Sequence, residues 1–231
     1  MKIKISYLIL PLLLVLASCS INKNRTANLS TKTELNNNGQ RVTNKKIEPN
    51  DSTFVNLKDF SQDFVLDMKY ATTDNFLKEK VYDCPECILR YKTIKALLSA
   101  NNSFIKKGYR IKIYDCYRPL EIQKKMWKIV SNPEYVANPK KGSIHNRGGA
   151  VDISLVDKNG FEINMGTTFD YFGPEASHNY LGLSKEIVEN RKLLKKIMIK
   201  NHFLSFDSEW WHYNLKNAKI DPISNQKWNC N

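Results

Sequence analysis

Two blocks lying far apart in the chain restrict its fold more than any other feature. The first is Ser143-Ile144-His145-Asn146-Arg147-Gly148-Gly149-Ala150-Val151-Asp152; the second, much later, is Glu209-Trp210-Trp211-His212. Each puts a histidine and a carboxylate next to a stretch with strand character, and the first enters its strand through a glycine-bearing loop. A fold that uses all four polar side chains has to lay one strand near the other, with the loop folding His145 back beside Asp152. This is not the helical H-E-x-x-H arrangement, in which both histidines sit one turn apart.

Two imidazoles, one carboxylate and an open fourth position make up the donor set of a catalytic zinc rather than a structural one. His145, Asp152 and His212 are therefore the candidate ligands of one Zn2+ per chain. Glu209 is a spare carboxylate suited to general acid–base work on an activated water. Arg118, in Tyr114-Asp115-Cys116-Tyr117-Arg118-Pro119, is either a salt-bridge partner or the cation that steadies a developing oxyanion. The other two histidines, His178 and His202, read as ordinary polar residues, and the Trp210-Trp211 pair as core.

The N-terminus is a separate region. Met1-Lys2-Ile3-Lys4 is followed by an apolar run from Ile5 to Ala17, too short for the ~20 residues of a bilayer-spanning helix and suited to a secretory signal. Leu16-Ala17-Ser18-Cys19 resembles the lipobox of bacterial lipoproteins. Residues 1–18 then form a signal peptide, and Cys19 is the lipidated residue that attaches the chain to a membrane. Residues 19–52 are polar and poor in aromatics, the composition of a flexible tether. Residues 53–231 are the folded domain, large enough for one well-built core.

Four cysteines remain: Cys84, Cys87, Cys116 and Cys230. An even set in an exported chain favours two disulfides, with all three pairings open. The formal net charge of +13 is scattered, and no nucleic-acid-binding motif accompanies it, so nucleic acid is excluded as a partner. Strands are expected over 64–70, 109–114, 150–156, 203–206 and 210–215. Helices are expected from Pro85 to about Lys107, from Pro119 and over 184–201. Asp157-Lys158-Asn159-Gly160 reads as a hairpin turn. The mixture favours an α+β domain with a mainly antiparallel central sheet flanked by helices.

These residues resemble the D-alanyl-D-alanine dipeptidases of the VanX type, within the hedgehog/DD-peptidase group of zinc metallopeptidases. The likeness runs roughly from Met68 to Tyr213. It is carried by Lys69-Tyr70-Ala71-Thr72, Asp115-Cys116-Tyr117-Arg118-Pro119, Ser143-Ile144-His145, Gly148-Gly149-Ala150-Val151-Asp152, Met165-Gly166-Thr167, Phe169-Asp170 and Glu209-Trp210-Trp211-His212-Tyr213. Cys116 is a departure, since many relatives carry glycine there. The resemblance implies a hedgehog/DD-peptidase-like fold, zinc on His145, Asp152 and His212, and Glu209 as general base and then acid. It gives Arg118 the transition state, and Tyr70, Ser143 and Asp170 the substrate, with Asp170 pairing the free amine of a dipeptide. The expected activity is hydrolysis of D-Ala-D-Ala, or a closely similar D,D-dipeptide, at the cell envelope. The alternatives are a D,D- or L,D-carboxypeptidase or endopeptidase acting on peptidoglycan stem peptides, and a non-catalytic envelope-binding lipoprotein. Oligomeric state and physiological role stay open.

Overall fold

The computed structural model describes residues 32–35, 41–44, 48–227 and 230. The signal peptide and Cys19 lie outside the described residues. Two units are distinguished, residues 1–48 and 49–231. In the first, β1 (Lys32–Leu35) and β2 (Arg41–Asn44) pair antiparallel.

The second unit is built on a five-stranded sheet. Its strands are β4 (Val65–Leu66), β6 (Tyr109–Asp115), β7 (Ala150–Asp157), β8 (Phe203–Phe206) and β9 (Glu209–Leu215). Their order across the sheet is β4-β6-β7-β9-β8, and only the short β4–β6 pair is parallel. A separate antiparallel ribbon joins β3 (Phe54–Asn56) to β5 (Ile88–Arg90). The helices are α1 (Tyr91–Ile105), α2 (Leu120–Ile129) and α3 (Lys185–Lys200). The domain is thus α+β with a mainly antiparallel sheet. Among the described residues no helix is long and apolar enough to cross a membrane.

The central position of β7 explains its composition. Ala150 to Val156 are all buried, as expected of a strand flanked by neighbours and covered on both faces. Val151, Ile153 and Leu155 share one face; Ala150, Asp152, Ser154 and Val156 share the other. A carboxylate on such a strand costs free energy unless it is paired. α1 turns Ile94, Leu97, Ala100 and Phe104 inward at helical spacing. In α3, Ser184 accepts from the backbone N–H of Ile187 and caps the helix. Pro119 stands just before α2, where its missing N–H costs nothing.

Three expected elements differ. The helix expected from Pro85 begins only at Tyr91, because Ile88–Arg90 is drawn into pairing with Phe54–Asn56. The apolar residues Ile88 and Leu89 fit either assignment by local pattern, and the partner strand decides. The strand expected over 64–70 shrinks to Val65–Leu66, and Lys69–Ala71 closes into a single 3-10 turn. The hairpin after β7 is reduced to one bridge, Val156 to Glu162. The four cysteines form two disulfides, Cys84–Cys230 and Cys87–Cys116. The two members of the Cys-Pro-Glu-Cys segment therefore go to different partners.

Candidate metal centre and its cavity

Sheet register brings the first two candidate ligands together. Asp152 on β7 is the direct cross-strand partner of His212 on β9, so their side chains leave the same face as neighbours. His145 lies in a short 3-10 turn, His145–Arg147, just ahead of β7. Gly148 ends that turn at φ +68°, and a Cβ there would strike the Phe54 ring. The reversal carries the loop into β7 and leaves His145 above Asp152, as the glycine-bearing spacing requires.

The donor atoms converge. His145 Nε2 lies 3.3 Å from an Asp152 carboxylate oxygen and 3.2 Å from His212 Nδ1. His212 Nδ1 lies 2.9 Å from the other Asp152 oxygen. Tetrahedral ligands at ~2.0–2.1 Å from a cation stand about 3.3 Å from one another, so these separations suit one small ion. The outer nitrogens decide which lone pairs face inward. His145 Nδ1 donates to the Cys116 carbonyl at 2.6 Å, and His212 Nε2 donates to Asn214 Oδ1 at 2.9 Å. Each ring then presents its second nitrogen to the other ring and to Asp152, where loss of a proton leaves a lone pair. Two such nitrogens beside a carboxylate call for positive charge, a proton or a metal ion, and the donor set fits zinc.

The charges respond accordingly. Burial opposes the charge on Asp152, but the two imidazoles outweigh it and hold its carboxyl below the usual range. Burial also opposes a proton on His212. The hydrogen bond and charge of Asp152 override that and push its pKa up to about 9. A proton held there occupies the place a metal ion would take.

Glu209 opens β9, and its carboxylate stands 3.9 Å from His212 Nδ1. Strict alternation would turn residues 209 and 212 to opposite faces. The β8–β9 register shifts between Ser205 and Phe206, and Glu209 lines the same cavity as His212. Burial pushes its carboxyl upward, with Asp152 adding to the shift and His212 opposing it.

Arg118 follows β6. It donates to Asp115 Oδ2 at 2.6 Å and Gln123 Oε1 at 3.0 Å, and lies 5.2 Å from the Tyr70 ring centre. Its Nε is buried and makes no hydrogen bond. The salt-bridge reading of Arg118 thus holds, and the side chain also borders the cavity. Tyr70 donates its hydroxyl to Asp170 at 2.8 Å. Asp170 takes φ +55°, a left-handed conformation that aspartate tolerates better than most residues. Burial first, then the charge of Asp152, pushes the Asp170 carboxyl well above its ordinary value. Ser143 borders the cavity and is tied to Asn146 Oδ1 through both its N–H and its hydroxyl.

All eight candidate residues line one cavity of about 660 Å³, together with Trp211, Tyr135 and Phe172. A larger cavity of about 760 Å³ shares Asp170 but reaches none of the three candidate ligands, all of which line the smaller one. Trp210 is core, as expected, with its indole N–H on Thr167 Oγ1. Trp211 is equally buried, but also forms cavity wall against Phe169.

The profile of a family described as Peptidase M15, D-ala-D-ala dipeptidase, matches residues 50–230. The chain belongs to this family. Its members are zinc metallopeptidases, and the chain is an enzyme of that kind. The D-alanyl-D-alanine dipeptidase of Escherichia coli (strain K12) is 34% identical over 177 residues, covering 76% of this chain and 91% of that protein. The D-alanyl-D-alanine dipeptidase of Enterococcus faecium is 30% identical over 174 residues, covering 65% of this chain and 85% of the relative. A solved LdcB LD-carboxypeptidase superposes with a TM-score of 0.40 at 22% identity, covering 76% of this chain and 73% of its own, a likeness too loose to argue from.

Three supporting groups escaped the sequence reading. Asp115, fully buried, accepts from Tyr82, Arg118 and the Cys116 N–H, and stands opposite Asp152 across a register shift in β6. Asn214 orients His212, and the Cys116 carbonyl orients His145. Asn214 carried a usable signal, since two residues along a strand returns to the same face. A backbone carbonyl carries none.

Proposed function

We propose that this metallopeptidase hydrolyses D-Ala-D-Ala, or a closely similar D,D-dipeptide, with one zinc held by His145, Asp152 and His212. The observation that carries this reading is the convergence of one nitrogen from each imidazole on Asp152, in a cavity that also holds Glu209 and Arg118. Zinc would supply Lewis acidity there, polarising the scissile carbonyl and acidifying the attacking water. Glu209, its proton affinity raised by burial, takes the water's proton on its carboxylate and passes it to the leaving amine. The Arg118 guanidinium, anchored by Asp115 at the cavity wall, steadies the oxygen that gains charge. Asp170 and Tyr70 receive the substrate ammonium. An amine–carboxylate pair in a dry site selects against chains blocked at that end. Ser143 borders the remaining polar wall.

We further propose that residues 1–18 are removed as a signal, that Cys19 is lipidated, and that residues 19–52 tether the domain to a membrane of the cell envelope. The short apolar leader supports this. So do the two disulfides, which form and persist in oxidising compartments.

One observation favours the runner-up, a carboxypeptidase or endopeptidase acting on stem peptides. A cavity of about 660 Å³ is of the size that encloses drug-sized ligands, larger than two alanines. The deciding experiment measures zinc content and the hydrolysis of free D-Ala-D-Ala beside a longer D-Ala-D-Ala-terminated stem peptide. One zinc per chain, with turnover of the dipeptide alone, is expected. Preference for the longer peptide replaces this reading with the runner-up, and a metal-free active enzyme removes both.

A further inference from the structure

The backbone carbonyl that orients His145 belongs to Cys116, and Cys116 is covalently tied to Cys87. This segment lies outside the sheet, because the β6–β7 ladder ends at Asp115 opposite Asp152. Among the described contacts, its main-chain tie to β5 is one hydrogen bond, from the Tyr117 N–H to the Ile88 carbonyl at 3.0 Å. The disulfide is the covalent tie between the same two segments, and both of its cysteines are wholly buried.

The stapled segment contacts the candidate machinery at several points. The Cys116 carbonyl accepts from His145 Nδ1, and the Arg118 N–H donates to the His145 carbonyl at 3.2 Å. The Cys116 N–H donates to Asp115 Oδ1, and the other oxygen of Asp115 holds Arg118. The Arg118 carbonyl accepts from the Asn146 side chain at 2.8 Å. Any drift of residues 116–118 would therefore move His145 and Arg118 together.

We propose that the Cys87–Cys116 disulfide is a positioning device for the metal centre, holding the carbonyl that fixes the tautomer and direction of His145. The inference rests on the zinc reading above. The second disulfide, Cys84–Cys230, provides the internal control. Cys230 is exposed, and neither Cys84 nor Cys230 lines the cavity. It closes a far longer stretch of chain, 146 residues against 29. On loop entropy its loss should lower stability more than loss of Cys87–Cys116.

The test compares wild type with two oxidised double variants, Cys87→Ala/Cys116→Ala and Cys84→Ala/Cys230→Ala. Zinc affinity is measured by competition with a chromogenic chelator, well below each melting temperature, with kcat and KM followed separately. Loss of Cys87–Cys116 is expected to weaken zinc by about 10–100-fold, the usual cost of losing a partner that orients a ligand, and to lower kcat of the zinc-saturated enzyme. Loss of Cys84–Cys230 is expected to lower the melting temperature and leave zinc affinity at the wild-type value. If the first variant does not fold, Cys87→Val/Cys116→Ala refills the volume and carries the same expectation. Unchanged zinc affinity in a folded variant lacking Cys87–Cys116 overturns the inference and leaves the zinc reading intact. Equal zinc loss in both variants also overturns it, in favour of a general stability effect. A wild type that takes up no zinc removes the functional reading and this inference together.

Discussion

Asp152 and Asp170 line the same cavity and are pushed in opposite directions. Asp152 lies between two imidazoles at 2.9 and 3.3 Å, and their attraction outweighs burial, so it stays ionised. Asp170 has a tyrosine hydroxyl at 2.8 Å and anionic neighbours in Asp152 and Glu209, so burial prevails and its proton is held more tightly. Two carboxylates whose surroundings drive their proton affinities apart are suited to different tasks. In the proposed function, Asp152 meets a cation that stays, and Asp170 a cation that arrives with the substrate and leaves with the product.

The largest expected effect comes from removing the charge on the resident side. Asp152→Asn should weaken zinc by more than about 100-fold, since even outer partners of a ligand cost 10–100-fold, and activity should disappear with the metal. Asp170→Asn should keep zinc and lose substrate. Metal analysis of the two purified variants therefore separates the roles, and equal zinc content in both would dissolve the contrast.

Next in size is Glu209→Ala, which should lower kcat by about 10²–10⁴-fold, the range for a general acid–base, with zinc retained. Near-wild-type turnover would remove Glu209 from the reaction.

Asp170→Asn carries a second expectation that sharpens the contrast. A carboxyl whose folded-state pKa is raised contributes stability below its unfolded value and loses it as pH rises through the folded one. Substrate-free Asp170→Asn should therefore melt higher at neutral pH, by about 2–4 °C for each kcal/mol recovered, while KM rises. The same residue would limit stability and supply binding. A lower melting temperature at neutral pH would show that Asp170 is already compensated without substrate.

Tyr70→Phe removes one hydrogen bond to Asp170. A net worth of about 0.5–1.5 kcal/mol corresponds to a KM increase of about 2–10-fold, with zinc unaffected. The smallest effect is expected away from the cavity. Burial, with Lys195 and Arg191 nearby, lowers His178 to about 4. Its folded pKa lies below its unfolded one, so its contribution is complete above pH 6.5 and is lost as pH falls from there toward 4. His178→Gln should flatten the decline of melting temperature over that interval without changing kcat, and an unchanged slope would count against a neutral, half-buried His178.

The regular elements were legible where local pattern and global packing agree. The alternation of Ile111 and Ile113, the buried run of β7 and the serine before α3 each carry their own periodic or capping signal. β5 was not legible: Ile88-Leu89-Arg90 continues a helical pattern into α1, and only the presence of Phe54–Asn56 alongside makes it a strand. At the site, His145, Asp152, His212, Glu209 and Arg118 were readable because their types and spacing suit one chemistry, whereas Tyr70, Ser143 and Asp170 came only through the family resemblance. The groups that orient them were not. Asp115 reads as an ordinary charge beside Arg118, although it is completely buried and holds that guanidinium.

By itself the sequence determined the donor set, the glycine-bearing approach to β7, the three helices and the long strands of the central sheet, and the even count of cysteines. These depend on residue type and short-range spacing. Tertiary structure alone decided that Cys116 joins Cys87, that each imidazole turns one nitrogen inward, and that the proton affinities of Asp170 and Asp152 are driven in opposite directions. Pairing, tautomer and charge state depend on distance, on burial and on backbone groups far along the chain, none of which residue type or local spacing encodes.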